Sequence, residues 1–224
     1  MKYKCKYNLS IILLILFFIF LYCLFNATYN KQFKEPLSQK NIFVLIGDSI
    51  LNNSKYVPLG NSIADLLKSK IGVNDVVLLA KDGATIETCF NQLMLNNNVI
   101  TNDEKYNLYI SIGGNNILNE FNNNENINKK TIKNIFQKYK NLIKKIKSEY
   151  SKTNIYILNL YFPPNKKYKK IIEEWNILIN SFSIENNYNL LRLDNLLINN
   201  FDFVHEIEPS LNGSKKIAEL IINS

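Results

Sequence analysis

Apolar and polar positions follow two rhythms along this chain. Short, mostly apolar runs at Ile42–Ile46, Val76–Ala80, Leu108–Ile112, Ile155–Leu160 and Leu190–Leu193 predict buried strands. Between and after them, apolar residues recur three and four apart over Asn61–Lys70, Thr85–Leu95, Ile127–Tyr150, Lys169–Asn186 and Ser210–Ile222, which predicts helices. In the longest of these, Ile132, Ile135, Phe136, Tyr139, Leu142, Ile143 and Ile146 share one face and lysines take the other. Strands alternating with helices predict βαβ units, hence a parallel sheet with helices on both faces. The Asn-rich stretch 122–128 reads as a loop, and the chain has no internal repeat.

The pattern changes at the N-terminus. Lys2, Lys4 and Lys6 precede a run that is apolar from Ile11 to Phe25, and with Leu9 and Ala27 as its ends it has the length a membrane span needs. The expected organisation is a short cytoplasmic N-terminus (1–8), a transmembrane signal anchor (9–27), a polar tether (28–41) and a domain over 42–224. A cleaved signal peptide is the competing reading, although Phe25-Asn26-Ala27 is a poor cleavage site. Both readings put the domain outside the cytoplasm, either on a single-pass anchor or secreted.

Charge narrows the partners. The net charge of the 224 residues is +8, but residues 1–41 supply +5 of it, with six Lys and one Glu. The remainder carries a single arginine, Arg192. Nucleic-acid surfaces favour arginine for bidentate contacts, so no nucleic-acid partner is expected. Cys5 and Cys23 lie in the N-terminal segment, leaving Cys89 alone in the body, and His205 is the only histidine. A disulfide within the body is excluded, and neither a metal site nor any other cofactor is expected.

Candidate chemistry sits where strands are predicted to end. Gly47-Asp48-Ser49 follows the first, Lys81-Asp82-Gly83-Ala84 the second, Gly113-Gly114-Asn115-Asn116 the third, and Asp202-Phe203-Val204-His205 the last. A parallel sheet brings such segments to one edge, where sites form. A serine between a strand end and a helix start suits an oxygen nucleophile. The one histidine is its only imidazole base, and an Asp three residues earlier is spaced to orient it. The run Lys166-Lys167-Tyr168-Lys169-Lys170 reads as a solvated helix start that borders this edge.

Gly47-Asp48-Ser49, Gly83, Gly113-x-Asn115 and Asp202-x-x-His205, in that order, resemble the SGNH hydrolases, the GDSL esterase/lipase family. The resemblance covers roughly residues 42–224. It implies a three-layer α/β/α, flavodoxin-like fold with a five-stranded parallel sheet, and metal-free ester hydrolysis. By that resemblance Ser49 is the nucleophile, His205 the base and Asp202 its orienting group. The Ser49 and Gly83 N–H groups and the Asn115 amide form the oxyanion hole. Two departures stand out. Asn116 occupies a position where the family usually has Asp. The family's Asp-x-x-His-Pro run is replaced by His205-Glu206-Ile207-Glu208-Pro209, which puts two acids beside the base.

The resulting expectation is a membrane-tethered serine esterase acting through an acyl-enzyme on small-molecule, lipid or glycan esters, such as O-acetylated glycans or lysolipids. Acyl transfer with the same residues, and an inactive binding domain of the same fold, are the alternatives.

Overall fold

The first strand, β1 (Ile42–Gly47), is apolar up to its last residue because it is buried between neighbours on both sides. It pairs in parallel with β2 (Val76–Leu78) and with β3 (Tyr106–Ser111), in register from Ile42 opposite Tyr106 to Gly47 opposite Ser111. Beyond β3 lie β4 (Asn154–Leu158) and β5 (Asn189–Leu191), giving a five-stranded parallel sheet of order β2-β1-β3-β4-β5. Val44, Leu45 and Ile46 have no exposed surface, which is the usual lot of a strand covered on both faces. The computed structural model describes residues 13–14, 17–22, 42–101, 104–123 and 128–224. The compact unit described here is Asn41–Ser224.

Helices cover both faces. On one side α1 (Ile63–Ile71) packs on the last helix, α7 (Leu211–Ile222). The other side is covered by α4 (Lys129–Glu149), which packs on α2 (Ile86–Met94) and α5 (Lys169–Asn186). In α1, α4 and α7 apolar spacing coincides with a side-chain cap, whereas α5 starts after Tyr168 without one. At the start of α1, for instance, the Ser62 hydroxyl accepts from the Asp65 N–H while the Asp65 carboxylate accepts from the Ser62 N–H, satisfying two otherwise orphaned donors. The seven apolar residues assigned to one face of α4 are all buried.

Among the described residues, four further α-helices and β-strands appear that apolar spacing does not predict. A helix, α3 (Gly114–Asn123), begins soon after β3 and takes in residues 122–123 of the expected Asn-rich loop, whose residues 124–127 lie outside the described residues. A one-turn helix, α6 (Leu193–Leu196), follows β5. Next, β6 (Phe203–Val204) and β7 (Glu208–Pro209) form a small antiparallel hairpin, with Val204 opposite Glu208.

Of the preceding unit, residues 13–14 and 17–22 are helical, and most of the expected span 9–27 lies outside the described residues. Among the described residues no helix is long and apolar enough to cross a membrane.

Candidate active site

The order β2-β1-β3 reverses direction at β1, and the crevice beyond the carboxyl ends of β1 and β3 is where such sheets bind ligands. Gly47 ends β1 with φ near +124°, and a Cβ there would meet the Ser111 carbonyl oxygen at 1.8 Å, so only glycine lets β1 turn against β3. The buried Gln92 of α2 clamps the same residue. Its amide donates to the Gly47 carbonyl and accepts from the Gly47 N–H, both at 2.7 Å. Asp48 continues the turn. Its N–H donates to the Ser111 carbonyl at 2.9 Å, and its carboxylate accepts from the Ile50 N–H and the Ser111 hydroxyl. Burial pushes the Asp48 carboxyl up to about 7, against those two hydrogen bonds and with a further push from the charge of Glu208. The turn thereby fixes Ser49, which is buried, at the crevice.

The Ser49 hydroxyl donates to Glu208 Oε1 at 3.1 Å. Glu208 is 9% exposed, and its second oxygen, Oε2, is buried without a hydrogen-bond partner. Burial raises the Glu208 carboxyl above its ordinary range, Asp82 adds to the rise, and the Ser49 hydroxyl and His205 oppose it. The expected relay of Asp202, His205 and Ser49 is therefore not what the structure assembles. His205 stands exposed at the hairpin tip with φ +48°, followed by Glu206 at +69°, and its carbonyl accepts from the Ile207 N–H. Its ring sits edge-on to Tyr56, centroids 6.1 Å apart, and among the described residues it has no hydrogen bond to Ser49 or Asp202.

Asp202 has a different task. Its fully buried carboxylate takes Lys216 Nζ at 2.8 Å, the Asn199 N–H at 3.1 Å and the Asn212 amide. Burial pushes this carboxyl up, but Lys216 and the other donors outweigh it and hold it below the usual range. Asp202 thus ties the start of the hairpin to α7.

Of the expected oxyanion donors, Ser49 and Asn115 line one cavity. Asn115 donates to the Ala84 carbonyl at 2.9 Å, which links the third-strand motif to the Gly83 turn. Gly83 has φ +75°, and among the described residues neither its N–H nor that of Ser49 has an acceptor. Asn116 explains its own departure from the family. Its carbonyl oxygen accepts from the Ile86 N–H at the start of α2, and its amide nitrogen donates to Glu87 at 2.9 Å. An Asp would make the first bond and oppose the second.

The cavity has a volume of about 70 Å³. Its polar side is Asp48, Ser49, Asn115 and Glu208, and its apolar side comes from Ile117 and Leu118 of α3, Tyr168 and Ile172 at α5, and Leu160. Tyr161, also in the wall, donates to the Ile207 carbonyl and packs on Phe203, bracing the hairpin. The lysines of run 166–170 are exposed, and only Tyr168 among them turns inward. Cys89 is fully buried, with its thiol pushed up by burial, and takes no part. Among the described residues, no group of three or more His, Cys, Asp or Glu side chains is placed to hold a metal ion.

Sequence reasoning missed Glu208, yet a signal was present. The family's proline follows its histidine, and here Pro209 follows Glu208. Counting back from Pro209, Glu208 takes the histidine's place and His205 the aspartate's.

A serine at a glycine turn after β1, an amide after β3 and a cavity between them define a hydrolase site on a flavodoxin-like sheet. Residues 43–219 match the GDSL-like Lipase/Acylhydrolase family, and the chain belongs to it; it is a GDSL-type esterase. No curated protein sequence matches the chain significantly. Among solved structures it is similar to a lipolytic G-D-S-L family protein from Veillonella parvula, at 17% identity, TM-score 0.64, 81% of this chain and 96% of that one. It is also similar to the psychrotrophic esterase EstA from Pseudoalteromonas sp. (17%, TM-score 0.58, 82% and 96%). A third is phospholipase A1 from Streptomyces albidoflavus (10%, TM-score 0.61, 82% and 99%). At these identities the likeness is one of fold.

Proposed function

We propose that this protein hydrolyses carboxylic esters of short acyl groups, such as O-acetyl groups on envelope glycans, with Ser49 as nucleophile. The observation that carries this reading is the small apolar cavity beside Ser49. At roughly 10–15 Å³ for each water-sized site, its 70 Å³ takes on the order of five non-hydrogen atoms, which suits acetyl to butyryl groups. Ser49 Oγ attacks the ester carbonyl, an acyl-enzyme forms as the alcohol leaves, and water then releases the acid. The Ser49 and Gly83 N–H groups and the Asn115 amide receive the oxyanion; losing one such donor costs about 3 kcal/mol in the barrier. Segment 9–27 tethers the domain to a membrane with the site on the extracytoplasmic side, which suits an envelope substrate.

A ladder of p-nitrophenyl esters from acetyl to palmitoyl tests this. Acetyl to butyryl esters are expected to turn over, palmitoyl at least about 100-fold more slowly at equal dispersion, and Ser49→Ala to lose all of it. Preference for palmitoyl would replace short acyl groups with lipid ones, and activity in Ser49→Ala would remove the nucleophile.

A further inference from the structure

Resting on that reading of Ser49, we infer that Glu208, not His205, is the group that takes and returns the Ser49 proton. Four observations meet on this residue. Glu208 Oε1 already accepts the Ser49 hydroxyl at 3.1 Å, the reach a general base needs. Its other oxygen is buried and unpartnered in a residue that lines the cavity, a costly arrangement unless the group has work to do there. The hairpin pairing of Val204 with Glu208 fixes this side chain toward Ser49 and leaves His205 outside at the tip, its ring on Tyr56. Finally, Tyr161 braces the loop through the Ile207 carbonyl, one residue before Glu208.

The chemistry balances with this pair alone. As Ser49 Oγ bonds to the ester carbonyl carbon, its proton passes to Glu208 Oε1, and the carbonyl electrons move onto the oxyanion. The intermediate collapses, the carbon–alkoxy bond breaks, and the Glu208 carboxylic acid protonates the departing alkoxide. The carboxylate then takes a proton from water as the water oxygen attacks the acyl-serine. Collapse of that second intermediate returns the proton to Ser49 Oγ and frees the acid. A carboxyl raised by burial is a better base than an exposed one, and it must be ionised to act.

The test is the kcat/KM of the full-length protein for p-nitrophenyl acetate across pH, in wild type, Glu208→Gln, Glu208→His and His205→Ala. The carboxyl of Glu208 is faced by Asp48, Asp82, His205 and the phenols of Tyr56 and Tyr161, so the profile is read as shifts between variants. Glu208→Gln, which keeps shape and loses the base, is expected to fall by about 10²- to 10⁴-fold. His205→Ala is expected to stay within a few-fold of wild type, with its acid limb moved slightly upward because a charge that favours the ionised carboxylate is gone. Glu208→His should keep more activity than Glu208→Gln, with an acid limb near imidazole's value of about 6.5. Loss of activity in His205→Ala, with or without loss in Glu208→Gln, would overturn the assignment and leave the esterase reading standing. A wild type that hydrolyses no ester of the ladder would overturn both.

Discussion

Two buried aspartates, one in the turn before Ser49 and one ahead of the hairpin that carries Glu208, are held in opposite ways. Among the described residues, Asp48, in the turn after β1, has no ion-pair partner. Two hydrogen bonds and the wall of a cavity surround it, and burial lifts its carboxyl to about 7. Asp202, ahead of the hairpin, is paired with Lys216 and held below the usual range. The first is kept where it costs stability, beside Ser49. The second anchors the element that carries Glu208. The aspartate that sequence spacing pairs with His205 is thus bonded to Lys216, while the one beside Ser49 is left to hydrogen bonds alone.

That contrast can be broken from either side. The largest effect is expected at Lys216→Met, which leaves Asp202 buried without its cation and should cost about 3 kcal/mol in urea unfolding at pH 7. Because Asp202 titrates below its unfolded value, its contribution is present above pH ~4 and fades as the pH falls through the lower folded value. The cost of Lys216→Met should therefore shrink in acid.

Asp48→Asn should act with the opposite sign and a smaller size. With the folded carboxyl raised to about 7, wild-type Asp48 favours folding below pH ~4 and loses that contribution as pH rises to 7. Asp48→Asn should be neutral near pH 4 and stabilising at pH 8 by on the order of 2 kcal/mol. An equal effect at both pH values would contradict the buried, uncompensated carboxyl.

The smallest effect is expected at Asn116→Asp, which restores the family's residue. It loses the donor to Glu87, whose carboxyl Lys138 and Asn116 hold down at about 2, while keeping the acceptor for Ile86. Roughly 1 kcal/mol of destabilisation should appear in thermal unfolding at pH 7. No change would mean that Lys138 alone satisfies Glu87.

How legible the molecule was follows from how local each feature is. The five strands and the long helices announce themselves in apolar spacing, because burial on both faces leaves no other composition workable. Ser49 and Asn115 were equally readable, since each follows a strand end by a fixed short step. The helix α3 was not, because Gly114-Asn115-Asn116 and the later asparagines are weak helix formers. It stands because Ile117 and Leu118 pack inward at the cavity, a tertiary effect. The hairpin hid for another reason. Two two-residue strands around a positive-φ tip leave no periodicity, and a relay drawn by spacing alone could not see that the tip carries His205 away.

The most direct test of which side chain serves Ser49 is the rate at which a p-nitrophenyl phosphonate labels it. This class of reagent isolates the attack step. Labelling, located by peptide mass mapping, should fall on Ser49 in wild type and proceed at a similar rate in His205→Ala. In Glu208→Gln it should be at least about 100-fold slower. Fast labelling in Glu208→Gln together with its loss in His205→Ala would return the imidazole to the nucleophile and contradict the account.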